Sequence, residues 1–222
     1  MTSPGNAAAH EGGTPADTAS RHGGGMPPLV LASRSPRRVE LLRMLGLTFE
    51  TIPSNVDESV RPGETAKAHV ERLAREKASS VARRRPDALV IGSDTVVVLD
   101  EEVLGQPRDE EEAVDMLLRL AGREHRVETG VAVAAPGGDI RSAVETVRVR
   151  FRAFDRRTAT EYVATGEPLD KAGAYGIQGY GSTIVESIEG DFFAVMGLPI
   201  VRMMELFRSL GWRYDFRGFQ PT

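Results

Sequence analysis

The chain has 222 residues, no cysteine, four histidines and a formal charge of −4, from 28 Lys+Arg against 32 Asp+Glu. These counts exclude disulfides, thiol nucleophiles and thiolate metal sites, give poor support to a Ser-His-Asp triad or a His-rich zinc centre, and offer no basic face for nucleic acid or an anionic membrane. With 41% hydrophobic residues the length suits one domain with a real core, and no run of about 18 apolar residues predicts a membrane span.

Residues 1–28 hold no Leu, Ile, Val or aromatic residue and are dense in Gly and Pro, so a disordered extension is expected. It has neither the apolar core of a signal peptide nor the pattern of a transit peptide, and Met26 is an alternative start. The expected location is the cytoplasm, which the lack of cysteine suits. One folded domain is expected over 29–212, with a tail at 213–222.

Leu29 to Ala32 reads as a short strand. After Ser33-Arg34-Ser35, Pro36 opens a helix with Val39, Leu41, Leu42 and Leu45 at helical spacing, and Ser35 is a candidate N-cap. Arg37 and Arg38 break the design, because two cations in a first turn oppose the positive end of the helix dipole. An anion bound there would explain them; a solvated surface corner is the plainer alternative. A second strand is expected over Leu47–Ile52, then a loop bearing Asp57 and Glu58, then a helix over 64–83. Its apolar face carries Ala66, Val70, Leu73 and Ala74. Lys77 sits past that stripe, where periodicity alone favours an exposed lysine, although it could reach a cleft.

Ala88 to Leu99 is nearly continuous apolar sequence, the pattern of a strand buried on both faces. Asp94 inside it is costly unless paired, hydrogen-bonded or bound to metal. A short arm over Glu102–Gly105 precedes a helix capped by Asp109 and running through Leu120. Strands over 125–135 and 140–151 flank a Pro-Gly-Gly-Asp turn and predict a hairpin. Thr158 is a candidate cap for a helix to about Thr165. EPLDKAGAYGIQGYGS reads as a glycine-rich functional loop with Asp170, Lys171 and Gln178 as polar handles. A strand pair at Gly181–Glu189 and Asp191–Val195 is expected, then a final helix opened by Pro199 with Met203 and Met204 as core filler. His69 and His125 read as surface or partly buried side chains rather than ligands. Strands alternating with helices early and hairpins late predict α/β, a mixed twisted sheet with flanking helices and two lobes around a central cleft.

The polar inventory points to polyphosphate chemistry. Ser33, Arg37, Arg38 and Lys77 could bind phosphates; Glu58 and Asp94 could hold a divalent cation, Mg²⁺ or Mn²⁺, or activate water. No GxxxxGK[ST] or GxGxxG motif is present, so neither a P-loop nor a Rossmann enzyme is expected.

SRSPRR after a first strand, REKA at 75–78, IGSDTVV at 91–97 and DKAGAYGIQG at 170–179 with GLP at 197–199 occur together in this order. The chain thereby resembles the Maf family of nucleoside triphosphate pyrophosphatases over about residues 28–210. The resemblance implies a Maf/ITPase-like fold and hydrolysis of a nucleoside triphosphate to monophosphate and pyrophosphate. It implies Asp94 as proton acceptor and Glu58 as a catalytic-site carboxylate near the metal. Ser33, Arg38 and Lys77 would bind phosphates, and Arg37, Thr95 and Gln178 would tune base selection. The 170–179 segment resembles the branch acting on dTTP and UTP. A preference for 7-methyl-GTP or another nucleotide, and a nucleotide-sensing regulator linked to cell division, are the alternatives. A homodimer is compatible with the resemblance. The chain departs from the family at Gln106, where a lysine is usual; Arg108 is a candidate substitute.

Overall fold

The architecture grows from the apolar run around Asp94. In the computed structural model, which describes residues 27–222, that run is β3 (Leu89–Leu99), an 11-residue strand buried on both faces. Seven strands form one mixed sheet. Along its path β2 (Glu50–Thr51), β1 (Leu29–Leu31), β3, β5 (Glu124–Ala134), β6 (Ile140–Phe151) and β7 (Val185–Glu189) follow one another, and β4 (Glu102–Leu104) adds to β3. β1 runs parallel to β2 and β3, whereas β4, β5, β6 and β7 pair antiparallel with their neighbours. The all-but-continuous apolar run is what a strand flanked on both faces requires.

One edge of β3 is divided. β5 covers the other edge without a break, from Val90↔Ala134 to Val98↔Arg126. On the divided edge β1 pairs only with Leu89–Ile91, and β4 only with Val97–Leu99. Between them residues 92–96 have no strand partner, so the sheet opens in its middle. The opening lies just beyond the carboxyl end of parallel β1, where α/β sheets place ligands.

Among the described residues six α-helices flank the sheet. α1 (Pro36–Met44) and α6 (Ile200–Ser209) pack on one face, where Leu31, Leu42, Ile91, Met203 and Phe207 form a core. α2 (Ala66–Ala82) lies on the other face against Val30, Val90 and Ala132. Beyond the opening a further core joins Val97, Leu117, Leu120 and Phe151 to α3 (Glu110–Leu120) and α4 (Arg156–Val163). These cores make the two lobes expected from the order of elements. Asp109 caps α3 as expected, accepting from the Glu112 N–H at 2.8 Å, and Thr65 caps α2, accepting from that of Ala68 at 3.2 Å.

Several local expectations give way. The second strand shrinks to Glu50–Thr51 because only Val30 and Leu31 of β1 are there to pair with it. Asp155, not Thr158, caps α4, and its carboxylate accepts from the Thr158 N–H at 3.0 Å. Residues 179–183 form a 3₁₀ turn before β7 begins. Residues 192–196 form α5 (Phe192–Met196) and not a strand: Asp191 caps it, accepting from the Phe193 N–H at 2.8 Å, and Gly197 closes it at φ +110°. The tail is a hairpin of β8 (Trp212–Tyr214) and β9 (Phe219–Pro221). Phe219 is fully buried and lies 4.0 Å from Phe207 between ring centroids; burying such a side chain contributes about 1.5–3 kcal/mol. The extension read at 1–28 falls, save its last two residues, outside the described residues. No helix among the described residues is long and apolar enough to cross a membrane.

Candidate active site

The opening in the sheet is the mouth of a cavity of about 840 Å³. Ser33, Arg37, Arg38, Glu58, Lys77, Asp94, Thr95 and Gln178 all line it, so the topology brings together every site residue predicted from the sequence.

One wall is the link from β1 into α1. Ser33 is buried, and its hydroxyl accepts from the Ser35 N–H at 3.1 Å and from Arg38 Nη1 at 3.3 Å. Ser33 thereby does the turn-making work expected of Ser35, whose side chain makes no cap bond. The first turn of α1 carries no acidic residue, so nothing within the helix offsets its N–H end and the two guanidinium groups, which line the cavity. Arg38 is braced on three sides. Its Nε donates to the Gly197 carbonyl at 2.7 Å, Nη1 to Ser33, and Nη2 to Thr95 Oγ1 at 3.2 Å. Burial pushes the Arg38 pKa down, and the Asp94 carboxylate opposes that shift. Arg37 reaches the Met196 carbonyl at 3.4 Å and stands 3.9 Å from Asp170. The α5–α6 junction therefore orients both arginines.

The opposite wall comes from α2 and β3. Lys77 is 7% exposed, not the solvated helix lysine that periodicity favours. Its Nζ donates to Asp94 Oδ1 at 2.7 Å and lies 2.9 Å from Glu58 Oε1. Asp94 is buried, and this cation offsets its charge. Glu58 is more than half exposed, so its share of the pairing is solvent-screened. Each carboxylate gives one oxygen to Lys77. Neither Asp94 Oδ2 nor Glu58 Oε2 has a hydrogen-bond partner among the described residues.

Two glycines bring the helix this close. A Cβ at Gly92 would stand 2.3 Å from the Ala74 carbonyl oxygen, and one at Gly130 would stand 2.2 Å from that of Val70. With no Cβ at either place, the α2 backbone rests on the strands and Lys77 comes within reach of Asp94.

Thr95 points to the other face of β3, where it also meets Thr129 Oγ1 at 3.1 Å; Thr129 in turn donates to the Ala194 carbonyl at 2.8 Å. Ser93 Oγ lies 2.8 Å from the carbonyls of Gly130 and Gly197. Sequence reading assigned no role to Thr129, and no local signal marks it. Gln178 is exposed at the cavity rim and makes no side-chain hydrogen bond among the described residues. Gln106 lines the cavity too, and its Nε2 donates to the Asp170 carbonyl at 2.9 Å. Arg108 does not stand in for the family's lysine: it pairs with Glu112 at 2.9 Å and lies outside the cavity lining. Lys171 is likewise spent within its loop, on Asp170 and the Glu167 carbonyl.

Both isolated histidines are buried, contrary to expectation. His69 lies 3.1 Å from Glu64, whose carboxyl the Arg72 guanidinium holds far below the usual range. His125 Nε2 is 2.8 Å from the Tyr175 hydroxyl, and its Nδ1 has no partner. Burial pushes His125 down to about 4.

A dTTP/UTP pyrophosphatase of Aquifex aeolicus (strain VF5) is 47% identical over 182 residues, covering 82% of this chain and 95% of the relative. A protein of the same name from Methylobacillus flagellatus is 48% identical over 84% of this chain and 94% of its own length. One from Escherichia coli O6:K15:H31 is 50% identical over 82% and 92%. The Staphylococcus aureus Ham1 structure aligns with 71% of this chain and 79% of its own at 16% identity and a TM-score of 0.44. The Maf-like protein model matches residues 28–210, and with relatives of this identity over most of its length the chain belongs to the Maf family.

Proposed function

We propose that the protein hydrolyses dTTP and UTP to the monophosphate and pyrophosphate. The observation that carries this reading is the opposition, across one cavity, of a braced arginine pair and a lysine-bridged carboxylate pair, in a chain about half identical to proteins named dTTP/UTP pyrophosphatase.

Ser33, Arg38, Lys77 and the first turn of α1 bind and orient the triphosphate. Asp94 takes a proton from a water as that water's oxygen bonds to the α-phosphorus. The bond from the α-phosphorus to the α–β bridging oxygen breaks, and pyrophosphate leaves with the electron pair. Fixed cations neutralise the charge that gathers on the phosphate oxygens, and the base adds about 10²–10⁴-fold. Gln178, Arg37 and Thr95 surround the nucleobase end; a glutamine amide pairs one donor and one acceptor with a pyrimidine edge.

The residues suit a divalent cation that arrives with its substrate. Among the described residues no group of three His, Cys, Asp or Glu could hold a metal alone. Glu58 and Asp94 retain one free oxygen each, and one or two carboxylates completed by substrate phosphates is the set that Mg²⁺ commonly takes. Bound there, Mg²⁺ or Mn²⁺ would supply further charge neutralisation at the phosphates.

The test is pyrophosphate release from dTTP, UTP, CTP, 7-methyl-GTP and ITP, with Mg²⁺ or Mn²⁺ and with EDTA. Metal-dependent release led by dTTP and UTP is expected. Release led by another base would sink the pyrimidine assignment, and no release from any of them would sink the enzymatic one.

A further inference from the structure

Gln178 presents a difficulty for base selection. Its side chain is exposed and makes no hydrogen bond to the protein among the described residues, so only the backbone around it determines where it stands. On one side Ile177 anchors that backbone in the core at 8% exposure. On the other side the anchor is a carboxylate eleven residues back. Glu167 Oε1 accepts from the Tyr162 hydroxyl at 2.7 Å and from the Gly181 N–H at 3.0 Å, and Oε2 accepts from the Tyr180 N–H at 2.8 Å. The Tyr162 hydroxyl oxygen accepts in turn from the Gly176 N–H at 3.0 Å. The carboxylate and the phenol together hold backbone N–H groups on both sides of Gln178.

The clamp is tight. A Cβ at Gly181 would stand 2.1 Å from the Gly176 carbonyl oxygen and 2.5 Å from the Tyr162 hydroxyl. Burial pushes the Glu167 carboxyl up, but the bonds from Tyr162, Gly181 and Tyr180 outweigh it and hold the group below its ordinary range. Glu167 is therefore an acceptor at both oxygens. Tyr162 sits on α4, so the clamp ties the loop to the lobe opposite Arg37 and Arg38.

Resting on the pyrophosphatase reading, we infer that Glu167 and Tyr162 are positioning residues that set the size limit of the nucleobase subsite by fixing the backbone that carries Gln178. The phosphate-binding and proton-accepting groups stand on the β1–α1 link, α1, α2 and β3, and among the described residues no hydrogen bond or ion pair joins the Glu167 or Tyr162 side chain to them. Loosening it should therefore admit larger bases while leaving the phosphate end in place. A displacement of about 1 Å at such a contact is worth about 10²-fold in rate.

The experiment compares kcat/KM for dTTP with that for dGTP in wild type, Glu167→Gln and Tyr162→Phe, alongside thermal unfolding and amide exchange at Tyr180 and Gly181. A glutamine keeps one acceptor and turns the other into a donor, which cannot receive an N–H. The expected result is a fall of about 10-fold or more in the dTTP:dGTP ratio for Glu167→Gln, with faster exchange at one of the two amides. Tyr162→Phe, which keeps the ring, should shift the ratio in the same direction by less. A uniform loss on both nucleotides with the ratio unchanged overturns the inference, as does an unchanged enzyme. If Glu167→Gln does not fold, Tyr162→Phe decides by the same ratio. If the wild type releases pyrophosphate from neither nucleotide, the activity reading fails instead. The clamp is then judged by exchange alone, and unchanged protection of Tyr180 and Gly181 in Glu167→Gln overturns it.

Discussion

Replacing Gly92 by alanine should disable the site without touching any group that performs chemistry. Lys77 meets Asp94 only because α2 lies directly on β3. An added Cβ would stand 2.3 Å from the Ala74 carbonyl oxygen and 2.7 Å from the Ala78 nitrogen. Both are backbone atoms of the turns that flank Lys77, so no side-chain rotation relieves the clash. Ordinary contact begins near 3.4 Å, so the helix must rise by roughly 1 Å. Overpacking of this kind costs about 1–3 kcal/mol, which for a chain of this size lowers Tm by about 2–12 °C. The same lift stretches the 2.7 Å Lys77–Asp94 contact, and a displacement of about 1 Å at a reacting centre is worth about 10²-fold in kcat. The assay is pyrophosphate release at saturating dTTP, well below the variant's Tm, beside a thermal melt. A Gly92→Ala protein with a lowered Tm and a kcat within about twofold of wild type would show that the seat of the helix does not govern Lys77. An unchanged Tm would refute the close approach itself.

Other expectations are as direct. Asp94→Asn keeps the shape and loses the proton acceptor, so kcat should fall by about 10²–10⁴-fold while dTTP still binds; equal turnover would remove Asp94 as the base. Arg38→Lys keeps the charge but cannot reproduce contacts to Gly197, Ser33 and Thr95 at once. At about 1.5–3 kcal/mol for a charge-assisted bond, kcat/KM should drop about 10–100-fold, and a wild-type value would show that charge alone suffices. His125 stays neutral in the fold down to about 4, whereas an unfolded chain protonates it near 6.5. The unfolded state therefore binds the extra proton in that window, so stability is full above about pH 6.5 and falls as the pH drops toward 4. The loss from this one group is about 3 kcal/mol, and denaturant unfolding of His125→Gln across the window should show a shallower decline; parallel curves would refute it.

Elements with strong local signals were legible in the sequence. The apolar run at 88–99, the cap Asp109 and the Pro-Gly-Gly-Asp turn each act within a few residues. Where two local signals compete, sequence alone does not choose: Asp155 and Thr158 are both good caps three residues apart, and only backbone geometry selects the first. Residues 191–195 read as a strand because Phe-Phe-Ala-Val is apolar and aromatic, while so few residues cannot show a helical period. The helix there depends on Asp191 at one end and Gly197 at the other. The burial of Lys77 depends on Asp94, 17 residues away, and on the shape of the chain between them.

The site divides along the same line. Arg37, Arg38 and Asp94 were visible because each violates the rule of its own element: cations at the positive end of a helix, a carboxylate inside an apolar strand. Such violations persist in a folded chain only where something else compensates, so they mark candidate sites. The residues that hold them break no rule. A serine or a threonine in a strand, or a glutamate before a Pro-Leu turn, is unremarkable where it stands. Arg38 shows the consequence: its partners lie 5, 57 and 159 residues away, and the farthest, the Gly197 carbonyl, is a backbone atom that no side-chain motif could announce. The charged groups that line such a cavity are thus readable from one dimension, whereas the contacts that aim them exist only once both lobes have closed on β3.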